Sequence, residues 1–218
     1  IVAETLTAMA RGGIHDHLGG GFHRYSVDAK WIVPHFEKMA YDNGVLLEAY
    51  ALGHSVLGDP MYRDVADGVM RYYREIAPEL YGAGGFPASQ DADVGDDDGD
   101  YWTWTIEEVE EALGGEERLV RAAITRYGLT DPAGAMHSDP ERHVLQLAAD
   151  ADEVARELGV SETEAEQLLE EVASRLKAVR DERPRPYVDE TLYAGWVGLV
   201  ASGHITAARH LGDEEAGA

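Results

Sequence analysis

GGIHDHLGGGFHRYSVDAKWIVPHFEKMAYDN, residues 12–43, is the stretch on which the reading of this chain turns. It holds three consecutive glycines (Gly19, Gly20, Gly21), four histidines (His15, His17, His23, His35), four acids (Asp16, Asp28, Glu37, Asp42) and Trp31. Glycine lets a backbone turn tightly and approach another group closely. An ordinary core helix or strand needs no such mixture, so the segment reads as the lining of a site. His15-Asp16-His17 sets two imidazoles one residue apart, half of a metal centre, but neither an H-E-x-x-H nor a Cys accompanies it. The same spacing suits a loop whose histidines bond to backbone and carboxylates, and no metal or cofactor is expected.

Pro34 precedes His35-Phe36-Glu37-Lys38. Phe36, Met39, Ala40, Leu47, Tyr50 and Ala51 then recur at helical spacing, which predicts a helix over residues 35–57. On that helix His35, Lys38 and Asp42 would share a polar face aimed at a mouth. Its N-terminal dipole would favour the Glu37 carboxylate. A plain capping and salt-bridge cluster fits the same residues.

Further out the pattern stays helical. The first residues, IVAETLTAMARGG, read as a helix already in progress, which suggests a piece of a longer protein. Asp59-Pro60 restarts a helix, Asp as N-cap and Pro at the first helical position, running to about residue 76 before Pro78. Capping boxes at Thr105/Glu108 and Ser161/Glu164 open two more. Helices are also expected over 116–127, 150–158 and 192–211. After Ser161, Ala165, Leu168, Leu169, Val172, Leu176 and Val179 form an apolar stripe. No convincing strand pair is visible, with short strands conceivable only at 101–104 and 143–147.

Residues 81–104 form a long Gly/Asp-rich loop ending in aromatics, and such loops in compact domains are usually functional or disordered. Gln90-Asp91-Ala92-Asp93 within it offers two carboxylates two residues apart, a pattern that suits acid and base when their environments differ. An Asx turn or a calcium loop are the alternatives, although the EF-hand pattern is not followed. Asp96, Asp97 and Asp98 read as a solvated acidic run. Trp31, Trp102, Trp104 and Trp196 mostly lie beside these loops, placed either to hold a sugar ring or to fill a core.

The chain of 218 residues carries 42 acids against 18 Lys plus Arg, a net charge of −24, with acids spread throughout. Phosphate binding needs a basic footprint, so nucleic acid is excluded as a partner, and an anionic membrane surface equally. Self-repulsion of this size suggests adaptation to a high-salt cytoplasm, a merely acidic protein being the rival reading. There is no Cys, hence no disulfide or thiol chemistry, and no apolar run approaches a membrane span. Cytoplasm is the expected location, and the tail DEEAGA is expected to fray.

The run from residue 16 to 43, DHLGGGFHRYSVD followed by WxVPHFEKMxYDN, resembles the thioredoxin-domain-containing family that includes spermatogenesis-associated protein 20. Gly85-Phe86, Gln90-Asp91-Ala92-Asp93 and the aromatic run beginning at Tyr101 are similar to the family's second motif. His143 to Leu147 and residues 183–199 match looser later segments. The resemblance implies a thioredoxin-like domain followed by an (α/α) barrel of the six-hairpin glycosidase type, akin to N-acylglucosamine 2-epimerases. The fold class expected is therefore all-α. Residues 1–218 would form a single domain, the N-terminal part of an (α/α)6 barrel with long loops on one face. The thioredoxin-like domain and the later hairpins would be absent.

The implied function is carbohydrate-directed, glycoside hydrolysis or sugar epimerisation on a small sugar-like ligand. The alternative is a non-catalytic binding or scaffold domain partnering the thioredoxin-like domain. The catalytic residues expected are His35, Asp91 and Asp93. The substrate-binding residues expected are His23, Arg24, Trp31, Glu37, Asp42, Gln90, Tyr101, Trp102 and Trp196. The chain departs from the family pattern near its end, where Glu190-Thr191 follow Asp189 and Val197 follows Trp196, removing a Lys and an Asn.

Overall fold

A computed structural model gives the fold, and residues 1–94 and 97–212 are described. Asp96 and the acidic tail, residues 213–218, lie outside the described residues. In chain order come α1 (Val2–Arg11), β1 (Tyr25–Ser26), β2 (Pro34–His35), β3 (Lys38–Met39), α2 (Ala40–Leu57), α3 (Pro60–Ile76) and α4 (Pro78–Gly82). There follow β4 (Ser89–Gln90), β5 (Asp93–Val94), β6 (Asp97–Asp98), α5 (Ile106–Ala112), α6 (Glu117–Tyr127), α7 (Ala151–Leu158), α8 (Glu162–Glu182), β7 (Val188–Asp189) and α9 (Ala194–Leu211). The protein is mostly helical, as expected.

The helix starts are where side-chain chemistry sets them. Asp59 accepts from the Met61 amide with Pro60 just inside the helix. Thr105 and Glu108 close a full capping box. Asp150 and Glu153 close another that the sequence reading missed. Ser161 accepts from the Glu164 amide. Each cap is worth about 1 kcal/mol. The stripe on α8 holds for Ala165, Val172 and Leu176, but its last member, Val179, is exposed.

Two expectations need correction. Residues 35–39 are not helical: α2 begins at Ala40, and Pro34–His35 and Lys38–Met39 lie in short strands. Burial there alternates, with Ile32, Pro34, Phe36 and Lys38 inside and Val33, His35 and Glu37 half exposed. That period of two is the mark of a strand. The polar face shared by His35, Lys38 and Asp42 therefore does not exist, and Lys38 points into the protein. Strands are also present, as three small antiparallel sheets among the described residues: β1 with β2, β3–β4–β7, and β5 with β6. In the three-stranded one Lys38 stands opposite Gln90, and Gln90 opposite Val188. An isolated bridge joins Trp104 to His143, one residue from each conceivable strand.

Among the described residues two helical apolar cores result, with a smaller third cluster of Phe36, Ala92, Tyr101, Trp102, Met136 and Val144. One collects α1, α2, α3 and α9 around Leu47, Tyr50, Tyr62, Val69 and Tyr73. The other collects α5 to α8 around Trp104, Leu113, Leu119, Val172 and Leu176. Helices α2 and α9 cross backbone on backbone, because a Cβ on Gly44 would meet the Val200 amide at 2.7 Å and one on Gly203 the Gly44 carbonyl at 2.6 Å.

The glycine loop runs between the two cores. Gly20 has φ +78°, and a Cβ there would lie 2.0 Å from the Gly68 carbonyl of α3. Asn43 on α2 clamps the loop from the other side, accepting from the Phe22 amide (2.7 Å) and donating to the Phe22 carbonyl (2.9 Å).

Candidate functional site

The loop delivers Asp16 into a dry ionic knot. Arg180 of α8 donates Nη1 to Asp16 Oδ1 and Lys38 of β3 donates Nζ to Oδ2, both at 2.7 Å. The Leu18 and Gly19 amides add two bonds to Oδ1, and Lys38 also reaches the Gly20 carbonyl. All three side chains are at least 96% shielded from solvent. Burial pushes the Asp16 carboxyl up, but Arg180 and Lys38 outweigh it and hold Asp16 well below the usual carboxylate range. Burial, opposed by Asp16 and assisted by Arg180, brings Lys38 down to about 8. Lys38 lies over the Tyr72 ring and Arg180 over Tyr101.

The neighbouring histidines are neutral. Burial lowers His17 to about 4 and His23 to about 3. His17 Nε2 is used on the Gly12 carbonyl (3.0 Å) and His23 Nδ1 on the Phe36 carbonyl (2.7 Å). His15 packs against Phe22 and His17, with both ring nitrogens unpartnered. Among the described residues no third metal-ligating group converges on His15 and His17.

The expected binding residues separate into two clefts, except Glu37 and Trp196, which line neither. His23, Arg24, Trp31 and Asp42 line one of about 390 Å³, together with Tyr25, Tyr41 and aliphatic side chains of α1 and α2. Trp196 stands behind it, edge to face with Tyr41 at 5.0 Å. Gln90, Tyr101 and Trp102 line a narrower cleft of about 40 Å³ above the ionic knot. Between these two groups Phe36 stacks on Trp102 at 5.5 Å, and His23 meets both rings edge to face at 5.1 and 5.2 Å.

The expected catalytic set is not brought together. His35 stacks on Tyr25, with Nε2 4.0 Å from Glu37. Asp91 is exposed and accepts from the Ala92 amide of its own turn. Asp93 is exposed on the small hairpin, opposite Asp98. None of the three lines either cleft.

The larger cleft holds a carboxyl with a distinctive state. Asp42 lies in the first turn of α2, where the helix dipole favours a charge. Burial nonetheless raises it to about 6, with Glu37 adding to the rise and Arg24 opposing it. Its Oδ2 has no partner. Arg24 binds Glu37 through Nη1 at 2.8 Å, and its amide donates to the Glu37 carbonyl at 2.7 Å.

Trp31 is the one described non-glycine residue with positive φ, at +66°. For a bulky residue this conformation is an outlier of the sort that clusters at functional sites. Asp28, which the sequence reading did not single out, holds it there. Its carboxylate accepts from the amides of Lys30 (2.6 Å), Ile32 (3.1 Å) and Val33 (2.6 Å), enclosing Trp31 in the turn. An Asp followed by a string of amides two to five residues on was the available signal.

Comparison with known proteins gives relatives of much greater length. The chain is 36% identical over 231 residues to human spermatogenesis-associated protein 20, covering 97% of this chain and 29% of that protein. The mouse protein of the same name is 34% identical over 234 residues, with the same coverage. An uncharacterized protein of Caenorhabditis elegans is 32% identical over 224 residues, 95% of this chain and 31% of that one. The chain thus spans less than a third of the length of these relatives. No protein-family model matches it.

Proposed function

We propose that the chain is the first part of a six-hairpin-type (α/α)6 barrel in a cytoplasmic, thioredoxin-domain-containing protein, and that its larger cleft acts on a carbohydrate. The observation that carries the reading is Asp42. It is a carboxyl raised to about 6, with a buried oxygen that has no partner, in the wall of a cleft it shares with Trp31, Tyr25 and Tyr41. Aromatic faces suit the C–H faces of a sugar ring, and a carboxyl poised near neutral pH suits general-acid work. Two carboxyls of unlike surroundings are the requirement of glycoside chemistry. Asp42 supplies the proton to the leaving oxygen. Glu37 does not line the cleft but is bound by Arg24, which does, and in a hydrolysis it receives the proton released by the attacking water. These two take the place of Asp91 and Asp93, while His35 positions Glu37.

The test is a calorimetric and turnover screen of sugars and sugar phosphates on the full-length protein, followed by Asp42→Asn. The expected result is a turnover loss of about 10²–10⁴-fold with binding retained. Turnover unchanged in the variant refutes the assignment. Sugar binding with no turnover in the wild type supports instead the non-catalytic domain serving its thioredoxin-like neighbour.

A further inference from the structure

The narrower cleft differs from the rest of this acidic molecule. Its walls carry Lys38, Lys177, Arg180 and Arg185 against Asp16, Glu75 and Asp181. In a chain with 42 acids and 18 Lys plus Arg, a cleft with more cations than acids is a local reversal of charge. Lys177 is already neutralised, by Glu75 at 2.9 Å and Asp181 at 2.7 Å. That leaves Lys38, Arg180 and Arg185 facing the single carboxylate of Asp16.

Two residues that line the cleft also carry buried donors without a partner. Arg180 spends Nη1 on Asp16, but its buried Nε has no acceptor. Trp102, 4% exposed, likewise has an Nε1 without a partner. A buried N–H left unpaired costs about 1–3 kcal/mol, so two beside one cleft point to a missing acceptor. The backbone makes room for it. A Cβ on Gly19 would lie 2.4 Å from Arg180 Nη2 and 2.8 Å from Asp16 Oδ2, so only glycine keeps this approach open. A volume of about 40 Å³ exceeds what one ordered water needs and suits a carboxylate or phosphate head.

We infer that this cleft, floored by Arg180 and Trp102 and rimmed by Arg185 and Gln90, binds a small oxyanion. An oxyanion offers acceptors only, which matches a lining whose spare groups are donors, and bonds to a guanidinium are the stronger charge-assisted kind. The inference does not rest on the carbohydrate reading, because Asp42 and Trp31 line the other cleft.

Thermal shift and calorimetry at constant ionic strength test it on the intact protein, with inorganic phosphate in one arm, acetate in a second and chloride as the reference. The expected result is a saturable rise in Tm with phosphate or acetate beyond that with chloride, the stronger arm identifying a phosphate or a carboxylate ligand. Arg185→Gln alters an exposed side chain and should leave the unliganded Tm unchanged while weakening the anion about tenfold, the loss of one charge-assisted contact. Gly19→Ala should abolish the shift. No saturable shift in either arm, or binding by Arg185→Gln and Gly19→Ala equal to wild type, overturns the proposal. Neither result bears on turnover at Asp42.

Discussion

Asp16 and Asp42 lie on the same short segment and are both withdrawn from water, yet their carboxyls are driven in opposite directions. Asp16 is held well below the ordinary range and Asp42 is raised to about 6. Burial pushes both upward. The difference is the company: Asp16 has two cations in direct contact, whereas Asp42 has Arg24 turned toward Glu37. Depth alone therefore does not decide whether a carboxyl is structural or reactive; the allocation of neighbouring charge does. Asp16 joins the two helical cores, and Asp42 is left with a proton to give.

The largest effect that breaks this contrast is expected from Asp16→Asn. It leaves Lys38 and Arg180 buried without their counter-charge, at a cost of about 3–5 kcal/mol measured by urea unfolding. A loss below about 1 kcal/mol would show that the knot is not what joins the cores. Lys38→Met should be milder, roughly 1–2 kcal/mol, because Asp16 keeps Arg180 and the remaining pair stays balanced.

Asp42→Asn is expected to act with the opposite sign. Its folded-state pKa is raised above the ordinary 3.8, so its cost is absent below that pH and complete once pH passes about 6. Two pKa units correspond to roughly 3 kcal/mol, which solvent contact at a half-buried site reduces to about 1 kcal/mol. The variant should be the more stable protein at pH 8 and equal to wild type at pH 3.5. For Asp16 the depressed pKa gives stability that is present above 3.8 and lost as pH falls further. Asp16→Asn should make that acid limb of the pH-stability curve shallower, leaving the part contributed by the Asp28 carboxylate, which is also held below its ordinary range. The smallest effect expected is that of salt: screening a net charge of −24 should raise Tm by about 2 °C between 0.1 and 1 M KCl. A flat Tm would remove the case for high-salt adaptation.

Much of the helical frame is legible in the residues because its signals are local. Asp59-Pro60 and Thr105/Glu108 act within one turn, so reading them needs no knowledge of the fold. The start of α2 is misread because Phe36, Met39 and Ala40 satisfy helical spacing by coincidence. The alternation from Ile32 to Lys38 that marks the strand is disguised by a lysine in an inward place. What makes lysine tolerable there is Asp16, and what completes the pair is Arg180, 164 residues further along the chain. No window of sequence contains that information. The candidate site suffers in the same way: Gln90, Tyr101 and Trp102 look continuous with Trp31 and Asp42 as a list, and only packing through Phe36 sorts them into separate clefts.

The three lysines give this architecture a built-in clock. Lys30 is exposed at the tip of the Asp28 turn, Lys177 is half-buried on α8, and Lys38 is 2% exposed inside the knot. A lysine-specific protease meeting the native protein therefore finds its first cut at Lys30. The peptide that ends at Lys38 should be released only when the two cores part, so its rate of appearance reports that opening directly.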